Sequence, residues 1–217
     1  MRRSTGAVLG TTGAISVVTA INRLDMLPTR LLASSPRALE DGRVWLLVTS
    51  ALVADRPAVP SIVGLAVVGL AAVALCGARV AWFAAVTGQL ASALLVYAVI
   101  LLTRLADPTA FAGVFGRSDY GTSAIIAAWI GAVAALLWAN GARLWAVVLC
   151  VASGLIGWLF KNQLTVLDTE HVVALGCGMA AVRYGARLAG LRSARDGLLR
   201  PLRAHAGARQ TARRVES

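Results

Sequence analysis

The chain has 217 residues, 58% hydrophobic and 14% charged, with a formal net charge of +11 and a mean hydropathy of +0.74. Average soluble proteins are about half apolar and about a quarter charged, so this composition excludes a water-soluble globule and makes lipid the expected solvent for much of the chain. One membrane domain is the count expected at this length.

A bilayer core requires about 20 apolar residues per helix, and six runs in the sequence meet or approach that. The first, Gly6–Ile21, follows Arg2 and Arg3 and contains several Thr and Gly. No small-x-small cleavage site closes it, so it reads as a first membrane helix rather than a signal peptide. The apolar stretch Val44–Ala54 is too short to span. It reads as an interfacial or re-entrant element, which must lean on protein to satisfy its backbone. The second to fifth spans are expected at Pro60–Ala78, Val80–Leu102, Tyr120–Ala139 and Leu144–Phe160. The sixth runs from Thr169 to Leu188, with Arg183 and Arg187 placed to snorkel at its end. Residues 1–188 thus form an all-α, polytopic six-helix membrane domain, and 189–217 a basic tail.

Charge placement fits this map. Six spans put both termini on one side, with Arg2, Arg3, Arg79, Arg143 and nine arginines from Arg183 to Arg214 against two acids, Asp196 and Glu216. The other side holds eight basic and eight acidic residues. The positive-inside rule then places both termini in the cytoplasm, and the expected setting is a bacterial cell membrane. The tail reads as a topology signal and a solvated segment, with contact to anionic lipid headgroups as the next reading. It lacks the aromatics and motifs of a nucleic-acid binder.

Cys76, Cys150 and Cys177 all lie in apolar runs and read as small buried hydrophobes, not as a disulfide framework or a metal site. The sequence contains no phosphate-binding Gly-rich loop, dinucleotide fingerprint, HExxH or CxxC. No metal or cofactor is expected.

Chemistry concentrates at the starts of two spans, Gly121-Thr122-Ser123-Ala124 and Asp168-Thr169-Glu170-His171. With the N-terminus inside, both spans begin at the outer face. Ser123 lies about 6 Å below Asp119 at 1.5 Å per residue, and His171 opens the sixth span. Small residues surround both: Gly121, Ala124, Ala127, Ala128, Gly131 and Ala132 on one span, Ala174 and Gly178 on the other. Such faces permit close helix approach, and an ionisable residue in a span is a functional hypothesis by default. Asp168 and Glu170 either raise the basicity of His171 through nearby negative charge or sit solvated in the loop.

The stretch Gly121 to Ala132 resembles the Gly-x-Ser-Gly motif, apolar run and further Gly on the fourth span of the rhomboid intramembrane serine proteases. His171, Ala174 and Gly178 are similar to the histidine and small-residue repeat of their sixth span. Trp45-Leu46-Leu47-Val48-Thr49-Ser50 resembles their first external loop, with Leu46 where Arg is usual. The resemblance covers Arg43 to Val182. It implies a Ser–His dyad in which Ser123 is the nucleophile and His171 the general base and then the acid. It also implies a transmembrane protein as substrate or client, and water entering from the outer face beneath the Lys161–Glu170 loop.

Departures from the family pattern bear on activity. The His and Asn that point at the oxyanion on the second span match Val59 and Val63 here, which cannot donate. Ala124 replaces the Gly after the serine, and Ala127 stands where an aromatic supports the histidine ring. Gln89 reads as a buried amide, either an oxyanion donor or an interhelical hydrogen bond. The readings left open are a Ser123–His171 intramembrane protease, an inactive rhomboid-like protein that binds transmembrane segments, and an unrelated small transporter or membrane scaffold. The last lacks the repeat symmetry and paired buried charges usual in transporters.

Overall fold

The computed structural model describes residues 2–28, 31–54, 57–161 and 168–185. The 162–167 segment of the expected entry loop, Arg187, Leu188 and the tail lie outside the described residues. The described residues are all-helical, apart from an isolated antiparallel bridge between Ser34 and Asp119. Helix α1 is Arg2–Arg23, α2 Pro36–Glu40, α3 Leu46–Thr49, α4 Ala58–Cys76, α5 Ala78–Ala106, α6 Ala112–Phe115, α7 Thr122–Ala139 and α8 Arg143–Lys161. A last helix, α9, covers residues 169–185. Four of them, the Ser4–Arg23 part of α1 together with α4, α5 and α7, are long and apolar enough to cross a membrane. Helices α8 and α9 coincide with the expected fifth and sixth runs. Residues Met1–Val182 form one compact unit.

Helix α1 has the most polar of these runs, and its hydroxyls are satisfied locally. Thr12 Oγ1 donates to the Val8 carbonyl (2.9 Å) and Ser16 Oγ to the Thr12 carbonyl (2.8 Å), which hides polar hydrogens where no water is available. Val8, Thr12, Ile15, Thr19 and Asn22 are buried. Their spacing of three and four is one helical face. At its end, Thr19 Oγ1 accepts from the Ala54 amide (2.9 Å), and Arg23 donates to the Ala54 carbonyl (3.3 Å).

Helix α4 buries Leu65, Gly69 and Ala72, again one stripe. A Cβ on Gly69 would come 2.7 Å from the Trp129 ring, so the glycine makes room for the largest buried side chain. Trp129 Nε1 donates to the Ala81 carbonyl (2.8 Å), and its ring meets Trp82 edge-on. One residue, Gly77 at φ +82°, links α4 to α5. That left-handed conformation favours glycine.

Helix α7 is central, and its uncharged, small-residue composition lets neighbours reach its backbone. A Cβ on Gly88 of α5 would overlap Ala128 Cβ, and one on Gly178 of α9 would overlap the Ala128 carbonyl oxygen. A Cβ on Gly131 would overlap the Leu175 carbonyl oxygen. Ala124, Ala128 and Ala174 fill the space between. Small residues thus convert helix faces into close van der Waals contact, the main attraction left between helices in lipid. Helix α9 opens beside Ser92 of α5, and its Gly178 reaches the level of Gly88 through Ala128. It therefore runs against α5, as α7 does, and parallel to α7.

Two further expectations concern the cysteines and the short apolar stretch before α4, which leans on protein as expected. The three cysteines are free thiols that are half-buried rather than fully buried, with Cys76 packed against the core. Val44–Ala54 forms α3 and a short 3-10 turn, Ser50–Leu52. It is two-faced, with Leu46, Leu47, Ser50, Val53 and Ala54 buried and Val44, Trp45 and Val48 exposed.

Substituting Gly178 with Leu is expected to destabilise the fold by about 3 kcal/mol, because the added side chain has no room at Ala128. Gly176→Ala, on the same helix with nothing within 4 Å of the added carbon, is expected to stabilise by about 0.5–1 kcal/mol. Thermal unfolding of both variants in detergent micelles checks the contrast.

Candidate functional site

The parallel arrangement puts the first turns of α7 and α9 at one end of the bundle, and with them Ser123 and His171. Three contacts from the preceding segment hold the start of α7. The Gly121 amide donates to the Ser50 carbonyl (3.0 Å), Thr122 Oγ1 donates to the Val53 carbonyl (3.3 Å), and Ser34 and Asp119 exchange backbone hydrogen bonds of 3.0 and 2.9 Å. Tyr97 of α5 reinforces the last of these. Its hydroxyl donates to Asp119 Oδ2 at 2.6 Å and lies 2.9 Å from Ser34 Oγ.

Gln89 lies against Gly121, where any side chain would overlap its amide. Gln89 is 4% exposed. Its Nε2 donates to the Leu47 carbonyl (3.1 Å) and to Ser50 Oγ (3.3 Å). The Leu47 carbonyl fixes which end of the amide faces it, since oxygen there would meet oxygen. Gln89 Oε1 is left as the buried side-chain polar atom with no partner among the described residues. The amide is therefore committed to the segment around α3. Its bond to Leu47 of α3 is the interhelical hydrogen bond of the plainer sequence reading.

Ser123 is half-buried, and its Oγ donates to the Tyr120 carbonyl one turn back at 3.4 Å. That distance marks a weak bond. The His171 side chain is 31% exposed, with Nδ1 3.3 Å from the Asp168 carbonyl and 4.0 Å from Asp168 Oδ1. A proton on Nδ1 shared with that carbonyl leaves the imidazole lone pair on Nε2. Asp168 thus lies beside Nδ1 of the ring through both its carbonyl and its carboxylate. Glu170 departs from the solvated-loop alternative. It is 3% exposed, and Ser92 Oγ donates to its Oε1 at 3.2 Å.

Val59 and Val63, the positions matched to the oxyanion donors, are 72% and 54% exposed and face away from the core. The face of α4 that meets the bundle instead carries Ile62, Leu65 and Gly69. Ala127 packs beside Ala124, Ala128 and Ala174, so alanine rather than an aromatic fills the space next to the serine helix. Sequence reasoning missed Ser34, Ser50, Ser92 and Tyr97, whose partners lie on distant segments. Nothing in a single hydroxyl within an apolar run signals such a partner.

No known family, curated protein or solved structure matches the chain.

Replacing Gln89 with Leu is expected to cost about 1–3 kcal/mol, because it leaves the buried Leu47 carbonyl and Ser50 hydroxyl without their donor. Hydrogen exchange is expected to rise at the Gly121 amide, which hangs on the Ser50 carbonyl. Thermal unfolding and amide exchange by mass spectrometry check both.

Proposed function

We propose that this chain is a rhomboid-like, six-span membrane protein with both termini in the cytoplasm, and that Ser123 and His171 form a dyad acting on a peptide bond of a transmembrane segment. The parallel seating of α9 on α7 through Gly178 and Gly131 carries this reading. It supports a shared site because both residues stand in the first turns of their helices, at one end of one interface.

The chemistry begins with a rotation about Ser123 χ1 that releases the Tyr120 carbonyl. Ser123 Oγ then bonds to the substrate carbonyl carbon as His171 Nε2 takes its proton. The imidazolium, steadied through Nδ1 by the Asp168 carbonyl, gives that proton to the departing amine nitrogen. Water, deprotonated by His171, then bonds to the acyl carbon, and the bond to Ser123 Oγ breaks as His171 returns the proton to that oxygen. The first-turn N–H groups of α7 lack intrahelical acceptors, as at any helix start, and supply the electropositive end that a developing oxyanion needs. They act without side-chain donors from Val59 and Val63. Loss of one such donor costs about 10²–10³ in rate, so turnover is expected to be slow.

A second reading, a non-catalytic protein that holds transmembrane segments, is favoured by one observation. Ser123 Oγ is bonded within its own helix, and the apolar inner face of α4 brings no donor to it.

Labelling of the purified, folded protein with a fluorophosphonate probe distinguishes the two. The protease reading expects labelling that is lost in Ser123→Ala and in His171→Ala. Labelling of the wild type no stronger than that of Ser123→Ala would sink it and leave the binding reading.

A further inference from the structure

We infer that Glu170 is a positioning residue: anchored on Ser92 of α5, it sets the place of His171 at the start of α9. This rests on the dyad reading above. A carboxyl group buried among apolar helices carries a large desolvation cost unless it is held by hydrogen bonds. Glu170 is 3% exposed, and the fully buried Ser92 reaches its Oε1 at 3.2 Å. The single proton of this hydroxyl is shared between Glu170 Oε1 and the nearer Gly88 carbonyl of its own helix, with the Gln89 carbonyl beside it, so the anchor point is itself fixed in the bundle.

His171 is the next residue in sequence. Successive residues on a helix are separated by a constant turn of about 100°. Pinning one therefore fixes the direction in which the other projects. The packing contacts further along α9 act differently. Gly178 against Ala128 and Leu175 against Gly131 set how closely the helices approach, but they lie one to two turns further along and are apolar surfaces that permit rotation. The Ser92–Glu170 hydrogen bond is directional and acts at the turn that carries the base. Asp168, 4.0 Å from His171 Nδ1, then meets an imidazole whose azimuth is already set.

Four variants of the full-length protein in detergent test this: Ser92→Ala, Glu170→Ala, Glu170→Gln and Glu170→Asp. The readout is the rate of diethylpyrocarbonate acylation of His171 by peptide mass spectrometry, with His205, the other histidine, as internal reference. Gln keeps the length and an acceptor but no charge, whereas Asp keeps the charge but falls short of Ser92. An anchor predicts that Glu170→Gln stays within about twofold of wild type, while Asp, Ala and Ser92→Ala change the rate by about tenfold, the scale of one lost hydrogen bond to a charged group. The reverse order, with Asp like wild type and Gln altered, overturns the anchor, as does an unchanged rate in all four. Gln and Asp settle the matter even where an alanine variant does not fold. Fluorophosphonate labelling of the same samples separates this inference from the dyad. A His171 rate that follows the anchor in protein that never labels at Ser123 upholds the positioning and removes the protease reading. Labelled wild type with His171 rates indifferent to all four variants does the opposite.

Discussion

Backbone contact at Ala128 is the constraint on which the rest of the structure depends. Gly88 brings α5 to one side of this residue and Gly178 brings α9 to another, each close enough that a single methyl group would not fit. In lipid there is little hydrophobic gain from joining two apolar helices, so the attraction must come from packing that only small residues allow. Together with the Ser92–Glu170 contact it fixes the parallel course of α7 and α9, so that Ser123 and His171 stand in first turns at the same end of the bundle.

Above this small-residue layer the interior changes character. Gln89, Ser92, Tyr97, Ser50, Ser34, Asp119 and Glu170 lie towards the end where α7 and α9 begin, and most of their hydrogen bonds join distant segments. Directional bonds of this kind specify orientation where alanine and glycine surfaces specify only distance. The two layers act differently on the helices: one sets their separation, the other their rotation.

Much of the helical layout was legible in the sequence. Apolar runs placed each long helix to within a few residues, because backbone groups in lipid must be satisfied within the helix itself. The small residues Ala174 and Gly178 marked the face that packs on α7. The inward face of α4 was not legible. It is apolar all round, so no periodic signal separates Val59 and Val63 from Leu65 and Gly69. Gln89 stood out as a buried amide, but its acceptors belong to α3 and the turn after it, more than 30 residues away (|i−j| of 39 and 42). Glu170 looked like a loop acid because burial of a carboxyl depends on a serine 78 positions earlier, a pairing that local pattern does not encode.

The described residues of the connection between α1 and α4 form only short helices and turns, and they are tied to the bundle by later parts of the chain. Ser34 bridges to Asp119, Leu47 and Ser50 receive Gln89, and the Ser50 and Val53 carbonyls receive the start of α7. These partners emerge from the ribosome long after the connection itself, with closures such as Ser34 to Tyr97 and Thr122 to Val53 spanning 63 and 69 residues. Non-local contacts cannot form before the chain that completes them exists. The α1–α4 connection is thus the first part of this end of the molecule to be made and among the last to settle. Its locking into place is, in effect, a record that α7 has arrived.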